Sequence, residues 1–126
     1  MGMTTRLDLG WNSVIISSAT ERFIPVTDWM PAAGYTAGRG WVETRVFDGA
    51  LSVAAAVQVA NHPDAPDAHT KVHPLVTKEE VSSPDSTLTV VSTAGWKYIR
   101  GGFAVLSSSG VAAGQVSGTV ELVADS

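Results

Sequence analysis

His62, Asp64, Asp67, His69 and His73 fall within one short stretch and are the densest collection of metal-ligating side-chain types in the chain. Imidazole and carboxylate groups both ligate divalent cations. The stretch is therefore a candidate metal site, with His62, Asp64, His69 and His73 as its ligands, or a loop whose histidines gain charge as pH falls. The same segment holds Pro63 and Pro66, and proline has no backbone N–H to give to a ladder. Zinc hydrolases draw their ligands from rigid elements at tighter spacing. Residues 61–73 thus read as a solvated, turn-rich loop, and no metal or cofactor is expected.

Other reactive types are no better arranged. Glu79 and Glu80 are adjacent, so on a strand they point to opposite faces. A glycosidase needs two carboxylates facing each other across its substrate, so this pair reads as a solvated, charge-guarded edge. Serine is plentiful, yet the chain holds no Gly-x-Ser-x-Gly elbow. Gly38-Arg39-Gly40 and Gly101-Gly102 lack the lysine and following helix of a phosphate loop. The expectation is a protein without catalytic activity.

The elements that would position a site are strands. Val, Thr, Ser and Gly are abundant where a helical protein would carry Leu, Lys and Glu; Val and Thr are stiff at χ1 and suit a pleated surface. A chain of 126 residues, 44% of them hydrophobic, has the length of one domain. Eight basic against twelve acidic residues leave a net charge of −4. Nucleic-acid binding needs a positive footprint, so neither DNA nor RNA is an expected partner. No cysteine is present, which excludes disulfides and thiolate chemistry. The apolar runs are too short to span a bilayer, and residues 1–10 lack the apolar centre of a signal peptide. Synthesis in the cytoplasm is the expectation.

Residues 1–10 read as a polar arm carrying Leu7 and Leu9, and residues 11–126 as a single domain. A first strand is expected over 12–18, with Val14 and Ile16 on one face, and a second over 22–26. Residues 27–40, with Pro31, Gly34, Gly38 and Gly40, read as a long loop bearing Trp29 and Tyr35. Asp48-Gly49 lies between two alternating runs, 41–47 and 50–60, the signature of a two-residue hairpin. Its register would pair Thr44 with Val53 and Val42 with Ala55. A short edge strand around Pro74 and strands over 86–93 and 96–107 follow. Ala94-Gly95 suits direct pairing of those two poorly, because Ala disfavours positive φ. Gly101-Gly102 suggests a bulge or a close backbone contact. Residues 115–123 alternate cleanly, with Val116, Gly118, Val120 and Leu122 inward. The pattern predicts an all-β, two-sheet sandwich, of jelly-roll connection.

Two sets of side chains are candidates for binding a partner. Trp11, Trp41 and Trp96 stand at strand starts, where an indole seals the end of a sandwich; Trp29 and Tyr35, on the loop, are better placed for contact. Ala50, Ala54 and Ala56 fall on the outward face of their strand. Outward positions so small and apolar imply close approach of another surface, or cover by a loop of the same chain.

Several segments carry a family likeness. Asp48-Gly49, Val57-Gln58-Val59-Ala60-Asn61, Gly95-Trp96-Lys97-Tyr98-Ile99-Arg100 and Ser117-Gly118-Thr119-Val120-Glu121-Leu122 resemble, in that order, small β-sandwich proteins of tailed-bacteriophage virions, among them capsid decoration (cement) proteins. The resemblance covers residues 41–123 and departs in 61–73, where that group has a short turn. It implies a structural virion protein on the capsid surface, made in the host cytoplasm. Such a protein binds the major capsid protein, commonly as a homotrimer. The arm, through Leu7 and Leu9, would lie across a neighbour and order on contact, and the small apolar residues would meet at a symmetry axis. Two other readings compete: a carbohydrate-binding module using Trp29, Tyr35 or Trp96, and another head or tail component.

Overall fold

The computed structural model describes residues 3–17, 19–32, 34–45, 51–64, 70–78, 89–91, 93 and 95–124. Within them run nine strands: β1 (Met3–Ile16), β2 (Arg22–Pro25), β3 (Met30–Pro31), β4 (Tyr35–Arg45), β5 (Leu51–Ala60), β6 (Thr70–Lys78), β7 (Thr89–Val90), β8 (Tyr98–Ser107) and β9 (Ala112–Ala124). The first sheet has the order β1-β9-β4-β7 and the second β2-β8-β5-β6, with β3 also on β8. The pairs β1–β9, β2–β8, β4–β7 and β5–β6 are all antiparallel and nest one inside the next. Nesting of this kind is a long hairpin rolled up on itself, which is the expected jelly roll.

The inner faces follow the alternation in the sequence. Val116, Val120 and Leu122 of β9 are fully buried, as are Val42 of β4, Val53, Val57 and Val59 of β5, and Ile99, Phe103 and Val105 of β8. Each such side chain is worth roughly 1.5–3 kcal/mol of burial. Gly118 makes room for the largest of them: a Cβ there would lie 3.2 Å from Phe103 Cε1 and 2.8 Å from the Trp41 carbonyl oxygen. The outward set on β9, from Gln115 to Glu121, is less deeply covered, with Thr119 the exception.

Three expectations change. Residues 3–10 are no arm: they form the first half of β1 and pair with β9 from Met3↔Ala124 to Asp8↔Thr119. Leu9 is 3% exposed and belongs to the core, with Leu7 packed against it. The physical reason is a β-bulge. The register shifts between Asp8 and Gly10, and Gly10 takes φ 66°, so the inward positions switch from odd (Leu7, Leu9) to even (Val14, Ile16). A strict period of two therefore breaks in mid-strand and hides the continuity. Asn12 Nδ2 donates to the Leu9 carbonyl at 2.9 Å and to the Gly10 carbonyl at 3.2 Å, satisfying the backbone that the bulge disturbs.

The hairpin of 41–47 with 50–60 is also replaced. β4 lies in the first sheet and β5 in the second; Thr44 pairs with Val116 and Val42 with Gly118, while Val53 pairs with Val105. Strands that face each other across a core show the same alternation as strands side by side, so the pattern alone does not choose between them. Val46, Asp48, Gly49 and Ala50 lie outside the described residues. Thirdly, the loop over 27–40 contains β3 and the start of β4. The edge strand around Pro74 does form, longer than expected, as β6; Pro74 sits beside the register shift between Ala55 and Ala56, where a missing N–H is tolerated. Direct pairing around Ala94-Gly95 is absent among the described residues, because β7 and β8 belong to different sheets.

Candidate interaction surfaces

The outward face of the second sheet is built on small residues. Ala54, Ala56 and Ala104 are buried in a cluster of their own, packed by Phe23 of β2 and Val72 of β6. A Cβ on Gly102 would lie 2.9 Å from Phe23 Cζ and run into the Ile24 carbonyl oxygen. Gly102 thus supplies the close backbone contact foreseen for the glycine pair, and Phe23 lies over it. Cover for the outward alanines comes from the same chain.

Beside this cluster the face turns polar. Gln58 is buried; its amide nitrogen donates to Thr70 Oγ1 at 3.2 Å and its carbonyl oxygen accepts from Arg100 Nε at 2.8 Å. The Arg100 guanidinium stands 4.1 Å from the centre of the Trp29 ring and 5.9 Å from that of Phe23. Trp29 Nε1 donates to the Pro63 carbonyl at 3.1 Å, and its ring meets Tyr98 edge-on. Ile15, Thr20, Glu21 and Ile24 border Gln58, Thr70 and Val72 across a groove of about 740 Å³.

The outward face of the first sheet carries arginine-on-tryptophan stacks. Arg45 lies 4.1 Å from the centre of the Trp11 ring and Arg6 5.1 Å from that of Trp41. Arg45 Nε also donates to Gln115 Oε1 at 2.8 Å. Arg39 gives Glu121 Oε1 both Nε, at 2.8 Å, and Nη2, at 2.6 Å, and Asp8 accepts from Thr119 Oγ1 at 3.4 Å. Each stack bridges a strand across β9, holding long side chains in fixed positions. Trp and Arg so held are the residue types that dominate binding energy at protein interfaces.

The residues singled out from the sequence scatter over this frame. Tyr35 is 5% exposed, its hydroxyl bonded to Thr5 Oγ1 at 2.7 Å and its carbonyl accepting from Thr93 at 2.6 Å; it pins the core rather than a ligand. Trp29 is half-buried with Arg100 over its ring. Of the three strand-start indoles, Trp96 packs on the core, whereas Trp11 and Trp41 lie on the outer face of the first sheet. Leu7 and Leu9 point inward, Ala54 and Ala56 are covered, and Ala50 is outside the described residues.

His62 and Asp64 are exposed, and His62 Nδ1 accepts from the Asp64 N–H at 3.2 Å, a local turn contact. Asp67 and His69 lie outside the described residues, and the His73 backbone is in β6, paired with Val57. Among the described residues no three His, Asp or Glu side chains gather as metal ligands. Phe23, Gln58, Arg100 and Arg45 were not anticipated. The alternation that placed Ala54 and Ala56 outward also places Gln58 there, but nothing in it brings Arg100 alongside.

No family model matches the sequence, and no curated protein matches it. Solved structures do. The VP2 subviral particle of infectious bursal disease virus aligns over 98% of this chain and 32% of its own, at a TM-score of 0.58 and 12% identity. The structure of the Gx strain of the same virus aligns over 98% and 33%, at a TM-score of 0.56 and 12% identity. At that identity the likeness is one of fold. The chain spans about a third of the length of the viral proteins it matches.

Proposed function

We propose that this chain is a structural virion protein, and in particular a decoration protein that docks on the outside of a capsid built from a major capsid protein and stabilises the shell. The observation that carries the reading is the nested jelly roll, which aligns over 98% of the chain with a virus-particle protein. Jelly rolls also serve lectins and cupins, so fold alone does not assign a role. The side chains add support. Polar groups on both outer faces are tied to one another, and ordered Trp–Arg stacks suit a broad, flat partner. The placements of Tyr35 in the core and Arg100 over Trp29 count against sugar stacking on those rings.

A protein that binds only the assembled shell stabilises it by mass action, by about 2.7 kcal/mol at a hundredfold excess over Kd. Purified chain titrated onto expanded capsids is expected to bind saturably and to raise the temperature at which the shells come apart. Binding that fails to saturate, or shells that melt unchanged, would overturn the reading.

A further inference from the structure

We infer that the second half of β1 is a self-pairing edge, through which two copies of this chain join their first sheets about a two-fold axis at Ser13. β1 is the outermost strand of its sheet, and among the described residues no strand pairs with its outer side. An edge of that length is normally guarded by charge, proline or a bulge. The first half has such guards in Arg6, Asp8 and the bulge at Gly10. Beyond the bulge, Trp11-Asn12-Ser13-Val14-Ile15-Ile16 contains neither a charge nor a proline.

The exposed side chains of that half are arranged symmetrically. Trp11 is 46% and Ile15 77% exposed; each stands two residues from Ser13, and all three share the outward face. Antiparallel pairing centred on Ser13 sets Trp11 opposite Ile15 of the second copy, Ile15 opposite the second Trp11, and Ser13 opposite itself. Aromatic and β-branched side chains facing one another are a favourable cross-strand combination, and an isologous contact requires this reciprocity. Arg45 already holds the Trp11 ring, at 4.1 Å, so little side-chain freedom is lost on docking.

Electrostatics permit the contact. Arg6, on β1 itself, lies in the first half of the strand away from the axis, and the Arg45 guanidinium lies over the Trp11 ring. In this register the two Trp11 rings, each with its Arg45, are offset by four residues along paired strands, roughly 14 Å apart, beyond the ~8 Å screening length of physiological salt. The paired segment, residues 11–16, is short and belongs at the small end of protein interfaces. The dimer is therefore expected to be weak, populated only at high protein concentration. The inference rests on the strand edge and does not depend on the virion reading; the resemblance noted from the sequence implies a trimer, and this geometry a dimer.

Sedimentation equilibrium of the whole chain is the test, up to roughly millimolar concentration. A monomer–dimer equilibrium is expected, with Ser13→Lys and Ile15→Lys each weakening it at least tenfold while thermal unfolding at low concentration stays put. Because the chain has no cysteine, Ser13→Cys adds a single thiol at the axis. Its oxidative cross-linking is expected to run at least tenfold faster than that of Val111→Cys, an exposed control away from the axis. A monomer at every concentration, a trimer, or a dimer indifferent to both lysine variants would overturn the inference.

Discussion

Leu9 shows how a single residue can be misassigned from its neighbours. In the sequence it belongs to a decapeptide that reads as an arm, and it reads there as a contact residue for a partner; in the fold it is 3% exposed. Leu9→Ala is therefore expected to cost about 2–5 kcal/mol of folding stability, the range for emptying a packed core site. Urea unfolding measures this directly, and a variant that unfolds like the parent would show Leu9 to be peripheral. Gly10 explains the misreading, since the bulge it permits changes which positions face inward. With φ at 66° and no atom within 4 Å of a built Cβ, its substitution is a test of backbone strain alone. Gly10→Ala should lose about 1–2 kcal/mol, the cost of left-handed backbone for an L-residue, and Gly10→Asn less. Gly102 is the opposite case: a Cβ there would run into the Ile24 carbonyl. Gly102→Ala should displace β2 and expose Phe23, read as a larger loss than at Gly10.

At the scale of elements, strand membership was more legible than strand partners. The runs that became β5, β8 and β9 show their inward faces in the sequence, because each turns every second side chain toward the core. β4 and β5 were assigned to one hairpin because they flank Asp48-Gly49, a strong turn signal. In this rolled hairpin the chain crosses from one sheet to the other between β4 and β5, and their inward residues meet over the core instead of beside each other. The alternation is identical in both arrangements, which is why it could not decide. For β1 the difference is larger, since the sequence of its first half reads as an arm outside the domain whereas the fold pairs it with β9. Deleting residues 3–8 tests this element directly. It would strip the ladder from Thr119 to Ala124 and the packing of Leu7. A loss of at least about 3 kcal/mol is expected, from the lost hydrogen bonds and burial together; a detachable arm would leave the unfolding transition where it was.

For the whole molecule, the two outer faces differ in kind. That of the second sheet is closed by its own Phe23 and Val72 and bordered by a groove, whereas that of the first presents Trp–Arg stacks and an ion pair. If the first sheet is what meets a shell, Arg45→Glu should weaken shell binding at least tenfold. Loss of the Trp11 stack should cost about 0.5–1 kcal/mol of folding stability, too little to unfold the chain. Equal binding by the variant and the parent would move the docking face elsewhere. The candidate surface was only partly legible: outward Ala54 and Ala56 were visible as an anomaly, but their cover by Phe23 joins β2 to a face defined by β5 and β8. Likewise Trp11 and Arg45 come within 4.1 Å only because β9 brings β1 and β4 to its two sides.

Composition and alternation by themselves determined that this chain would be all-β, that its sheets would pack face to face, and which side chains of most strands would turn inward. Those properties depend on neighbours two positions apart, and local sequence contains them. Which strand pairs with which, where the bulge reverses the pattern, and which arginine reaches which ring depend on residues far apart in the chain, as far as Met3 and Ala124. Only the rolled-up chain brings these together, and there the tertiary structure decided.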